Sequence, residues 1–253
     1  MKKIKSLCES YLILLIVGIS SYVIPVTYSM ISYYTQKEEN SDMASILASI
    51  GLLSGGVLCT FVAAKQYGVR ISENIKKISV KALFLIIITA MFYVISVMFI
   101  IHRSTLNGEA ELSPIVILTL ILASIFPPIG EELIYRFAML TTMIKIAERK
   151  KVIIAASIIL VNLTWVVMHF SGNLLRIIDL IIMGVILTTI YMLSQNIMLS
   201  ILFHSVANAL TYLLAANYKL LFKITFMPFF SIPAFMICFV FLCLIIFKEK
   251  IKM

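Results

Sequence analysis

Of the 253 residues, 62% are hydrophobic and only 13% are charged, and the mean hydropathy is +1.08. An average soluble domain is about 45–50% apolar and about 25% charged, so too few polar residues remain here to cover a soluble core. The composition reads as a polytopic membrane protein and excludes a soluble enzyme, a secreted disulfide scaffold, a coiled coil and a disordered chain. The net charge of +9 comes from 21 Lys and Arg against 12 Asp and Glu. In a membrane chain such an excess collects in cytoplasmic loops, and no basic patch with interleaved aromatics points to nucleic acid. Cys8, Cys59, Cys238 and Cys243 lie in or beside apolar runs without a Cys-x-x-Cys pair. Neither a disulfide framework nor a thiolate zinc site is expected from them.

A membrane helix takes about 20 apolar residues. In chain order, about eight spans can be drawn: 11–34, 44–64, 82–101, a fourth from Pro114 to Ile146, then 152–170, 174–193, 197–216 and 229–247. The expected fold is all-α, a single integral membrane domain over 1–253. The start, Met1-Lys2-Lys3-Ile4-Lys5 before an apolar run from Tyr11, mimics a signal peptide. The run continues to about Tyr34 without a small-x-small cleavage site, so it reads as a retained first helix.

Charge tests the drawing. With both termini cytoplasmic, 15 Lys and Arg lie inside and five outside, and Arg136 falls within a span. Seven or nine helices would put one basic cluster on the wrong side.

The fourth segment is unusual. As one helix its 33 residues would measure roughly 50 Å at 1.5 Å per residue, against a hydrocarbon core of about 30 Å. Pro127-Pro128 and Gly130 are expected to break or kink it, and the fourth helix is read as broken at Pro127-Pro128. A broken membrane helix is tolerated only where protein or a water-filled cavity surrounds it, so the break predicts a polar interior pocket.

Three polar insertions interrupt the apolar background. The first is Glu131-Glu132-Leu133-Ile134-Tyr135-Arg136. Ionisable groups inside a membrane are costly and should be buried and paired. Glu132 and Arg136, four apart, share a helix face and can form an ion pair. Glu131 points about 100° away and is available for other work. The second insertion runs from Trp165 to His169 and the third from His204 to Asn208, each pair again four apart.

Singly, each insertion has a bland explanation. Glu132–Arg136 can be a clasp, His169 an interfacial residue, and His204 with Asn208 a packing hydrogen bond between helices. Together they form a coherent hydrolytic set. A carboxylate and an imidazole can activate water, and His with Asn can donate to a developing oxyanion.

Glu-Glu-x-x-x-Arg, aromatic-x-x-x-His and His-x-x-x-Asn on successive membrane helices resemble the CPBP family. These are the type II CAAX prenyl endopeptidases and their prokaryotic relatives, the Abi or bacteriocin-processing proteins. The likeness covers about residues 125–215, within an expected catalytic core of about 114–216. Trp165 stands where Phe is also common. The resemblance implies that Glu131 and His169 activate the hydrolytic water, that His204 and Asn208 form the oxyanion hole, and that Glu132 and Arg136 orient the site.

Family members have been labelled metalloproteases. Glu131, His169 and His204 could ligate zinc, but the chain lacks His-Glu-x-x-His. A metal-free, glutamate-activated water is the expectation, with Zn2+ as the alternative.

The implied function is an intramembrane endopeptidase acting on a membrane-associated peptide or protein in the lipid bilayer. Richness in Lys, Ile and Asn points to an AT-rich bacterial genome. Prenylated CAAX proteins are generally lacking in bacteria, so peptide maturation or bacteriocin self-immunity leads. The rival readings are a non-catalytic immunity or scaffold protein and a small transporter subunit. The latter would use a broken helix as an ion site, but no repeat or second broken helix supports it.

Asp179 with Arg176 reads as a local clasp, Asn162 as a helix–helix hydrogen bond, and His102 as a solvated interfacial residue.

Overall fold

The computed structural model describes residues 2–34, 41–101, 114–148, 150–169, 172–216 and 228–252. Helices dominate, and no strand occurs among these residues. In a bilayer each backbone N–H and C=O must be satisfied inside the protein, and for apolar runs of about 20 residues the helix does so within each segment. The order is α1 (Lys2–Tyr34), α2 (Ser41–Tyr67), a 3-10 turn (Ile71–Asn74), α3 (Val80–Ile101), α4 (Pro114–Glu131), a π-helix (Glu132–Thr141) and α5 (Thr142–Ala147). Then come α6 (Lys151–Met168), α7 (Leu174–Ser194), α8 (Ile197–Ala216) and α9 (Pro228–Lys252). Among the described residues, seven helical stretches are long and apolar enough to cross a membrane; α4, the π-helix and α5 together form one of them, Val116–Ala147. The chain is a multi-pass membrane protein. His102 lies outside the described residues.

The chain divides into two compact units. The first holds residues 1–75 and 125–170. In it α1 packs on α2, and α1, α2, α5 and α6 all pack against the π-helix. The π-helix is therefore its centre, with Ile134, Phe137, Ala138, Met139 and Leu140 buried.

The backbone of α2 approaches the end of α4 closely. A Cβ built on Gly130 would stand 2.2 Å from the Leu52 carbonyl oxygen, and one on Gly56 would stand 2.7 Å from the Gly130 oxygen. Only glycine fits at such a crossing, because the opposing atoms are backbone and cannot step aside. The α2 helix ends at Gly68, whose φ of 64° is the left-handed conformation glycine adopts without strain. Lys145 from α5 donates to the Gly68 carbonyl at 2.9 Å.

Gly130→Ala is therefore expected to lower the stability of the detergent-solubilised protein by about 1–3 kcal/mol, the usual range for overpacking. Gly172→Ala serves as control, since its Cβ meets nothing within 4 Å. Equal melting temperatures for the two variants would refute the close crossing.

The second unit holds residues 76–124 and 171–253. Here α3 packs on α8 and α9, and α7 packs on the same two helices. Tyr93 of α3 is buried and donates its hydroxyl to Asp179 of α7, which also pairs with Arg176. The Tyr93 ring packs against Phe203 and Phe235 at centroid distances of 6.1 and 5.6 Å. The clasp expected from Arg176 and Asp179 thus extends to a third residue on another helix. Asn162 donates at 2.9 Å to the Ile158 carbonyl, within its own helix.

One expectation requires correction. The α4 helix is not broken at Pro127-Pro128; both prolines lie inside it. The winding instead widens four residues after Pro128, where the π-helix starts at Glu132. Each proline removes one backbone donor from the ladder. In membrane helices such losses are absorbed by neighbouring helices and by local changes of winding rather than by a stop. The Thr141 hydroxyl donates at 3.2 Å to the Arg136 carbonyl, five residues back, which is the reach of a π turn.

Candidate active site

The two adjacent carboxylates straddle the change of winding. Glu131 is the last α-helical residue of α4, and Glu132 is the first of the π-helix. Stretches of π-helix are rare and concentrate at functional sites. Glu132 and Arg136 are fully buried, and Arg136 Nη1 lies 3.3 Å from Glu132 Oε1. The ion pair expected from their spacing is present.

Glu131, also buried, turns to α6. Its Oε2 accepts a hydrogen bond of 2.6 Å from the indole Nε1–H of Trp165. The same oxygen lies 3.8 Å from His169 Nε2. His169 caps the C-terminus of α6, and its side chain keeps 26% exposure. Its Nδ1 lies 2.8 Å from the Trp165 carbonyl oxygen. A carbonyl only accepts, so Nδ1 carries the proton, and in the neutral ring Nε2 presents its lone pair toward Glu131.

Trp165 links these groups. Arg136 Cζ lies over the indole at 4.8 Å from its centroid, a cation–π distance. The His169 ring meets the same indole edge-on at 4.6 Å. Trp165 itself is buried. On sequence it figures only as the aromatic one turn before His169; its donor role toward Glu131 was missed. The available signal was chemical: the chain's only tryptophan lies in an apolar span, and a buried indole N–H usually has a partner.

The first unit therefore brings Glu131, Glu132, Arg136, Trp165 and His169 together. His204 and Asn208 belong to α8 of the second unit, where His204 is buried and Asn208 half-buried, four residues apart on one face. A zinc site would require three or four protein ligands. Among the described residues no group of three or more His, Cys, Asp and Glu is gathered to hold a metal ion.

Residues 113–210 match the family model described as type II CAAX prenyl endopeptidase Rce1-like. The matched stretch includes all six of the polar motif residues. No curated protein and no solved structure matches the chain.

Proposed function

We propose that this multi-pass membrane protein, whose residues 113–210 match the model of the type II CAAX prenyl endopeptidase Rce1-like family, a family of intramembrane proteases, hydrolyses a peptide bond of a membrane-associated peptide or protein. The observation that carries the reading is the facing pair of Glu131 Oε2 and His169 Nε2 at 3.8 Å. That distance is too long for a hydrogen bond and suits one water donating to each atom, with legs of about 2.8 Å. Both bases would then compete for the same molecule's protons.

One proton leaves for a base as the water oxygen bonds to the scissile carbonyl carbon. The carbonyl electrons move onto oxygen, where His204 and Asn208 would donate hydrogen bonds. Collapse of this adduct breaks the C–N bond, and the abstracted proton goes to the leaving amine. The products are a carboxylic acid and an amine, which settle at neutral pH as carboxylate and ammonium. Glu132 and Arg136 orient the site and do not react.

Water activation at Glu131 and His169 needs no metal in this scheme. Chelation of a purified active sample is expected to leave activity unchanged. Stoichiometric zinc lost in step with activity would overturn the metal-free route. The 15-to-five distribution of Lys and Arg supports both termini in the cytoplasm, with substrate entering from the membrane or its cytoplasmic rim. A bacterial origin and peptide maturation or bacteriocin self-immunity complete the reading.

The test compares peptides from membranes and medium of cells carrying wild type or Glu131→Gln at matched protein levels. A fragment made only by wild type supports proteolysis and identifies the cut. Identical profiles with an intact phenotype would refute it and favour a non-catalytic immunity or scaffold role.

A further inference from the structure

Both members of the candidate water-activating pair, Glu131 and His169, and the buried Arg136 converge on one side chain, that of Trp165. We propose that Trp165 is the positioning residue of this site. Its side chain fixes the carboxylate of Glu131, and its backbone fixes the ring of His169.

The indole Nε1–H is a rigid donor on a buried ring, and its acceptor is a carboxylate 34 residues earlier in the chain. A hydrogen bond to an ionised group is shorter and stronger than a neutral one. It selects one oxygen of Glu131, Oε2, and this is the oxygen that faces His169 Nε2. One turn later, the Trp165 carbonyl holds His169 Nδ1. The tautomer is thereby set so that Nε2 is the basic atom. Arg136 packs over the indole and the His169 ring meets it in a T-shaped contact, and both favour the observed orientation of the ring.

Phenylalanine at this position would keep the ring contacts and lose the donor. Two chains with the same spacing but different aromatics would thus hold the same carboxylate with different precision. The catalytic consequence rests on the protease reading; the hydrogen bond rests on geometry alone.

The test uses the full-length chain in detergent micelles, labelled with 15N-tryptophan. Trp165 is the only tryptophan, so a single indole cross-peak reports the site. It is expected downfield and slow to exchange with solvent in wild type, and shifted upfield in folded Glu131→Gln. An unshifted peak in that variant would overturn the proposal. In the second arm, Trp165→Phe is expected to lower kcat on the peptide cut by wild type by about 10- to 100-fold, the worth of one hydrogen bond to a charged group. KM should stay constant and the folded yield should be equal. An unchanged kcat would also overturn it. Should wild type cut nothing, the protease reading fails and the indole peak alone decides the positioning role. Should Trp165→Phe not fold, the same peak decides.

Discussion

Purified, reconstituted Glu131→Gln is expected to cut its peptide about 10²- to 10⁴-fold more slowly than wild type, the usual contribution of a positioned general base. His169→Gln should lose a comparable factor. The double variant should lose little beyond the worse of the two singles. Groups that act on one water as a unit are non-additive, because removing either abolishes the arrangement that both require. Glutamine at position 131 keeps an acceptor oxygen within reach of the Trp165 indole and removes the basicity, so the loss reports chemistry rather than collapse of the site. Single-turnover rates for the three variants, beside melting temperatures, are the measurement. Multiplicative losses in the double variant would mean that Glu131 and His169 serve separate steps. Wild-type rates in Glu131→Gln would remove the carboxylate from the mechanism.

The sequence carried the helices well, for a simple reason: hydropathy is a property of single residues, and the membrane imposes the length. The sixth expected span, 174–193, falls within one residue of the observed Leu174–Ser194. Where the expected ends differ, the cause is visible. The first span was drawn from residue 11, but α1 begins at Lys2. Exposed Lys5 and Glu9 form an i,i+4 pair at 3.9 Å that continues the helix outside the apolar run. Hydropathy finds the buried part of a helix; charged turns beyond it fold without being apolar.

The candidate site was legible as far as local spacing reaches. Four-residue separations placed Glu132 with Arg136 and Trp165 with His169, and both pairs are in contact. Three features exceeded that reach. The prolines at 127 and 128 suggested a break, because a lost donor is a local fact, while the winding that absorbs it depends on the helices packed around the segment. The fit of Gly130 against Leu52 is a meeting of two backbones 78 positions apart. The Trp165–Glu131 bond joins α6 to the end of α4. Such long-range pairings follow from how helices dock, which one chain's residue pattern does not specify.

The largest stability effect is expected at the buried ion pair. Arg136→Met should destabilise the solubilised protein by about 3–5 kcal/mol, since it leaves the fully buried Glu132 carboxylate without its counter-charge. Methionine is the informative replacement: its thioether packs well against an aromatic ring, so the stacking on Trp165 is largely conserved while the charge is lost. Glu132→Leu alone should cost a similar amount by stranding the guanidinium. The double variant, Glu132→Leu with Arg136→Met, should regain most of the loss, because a buried ion pair replaced by apolar groups of similar volume is often neutral in stability. Denaturant titrations of all four proteins close the cycle, and the expected coupling is a few kcal/mol, as for contacting residues. A double variant as unstable as the sum of the singles would show that the two charges are held by other groups. A stable double variant with impaired cleavage would separate the two roles of Arg136: balancing Glu132, and supplying positive charge at the face of Trp165.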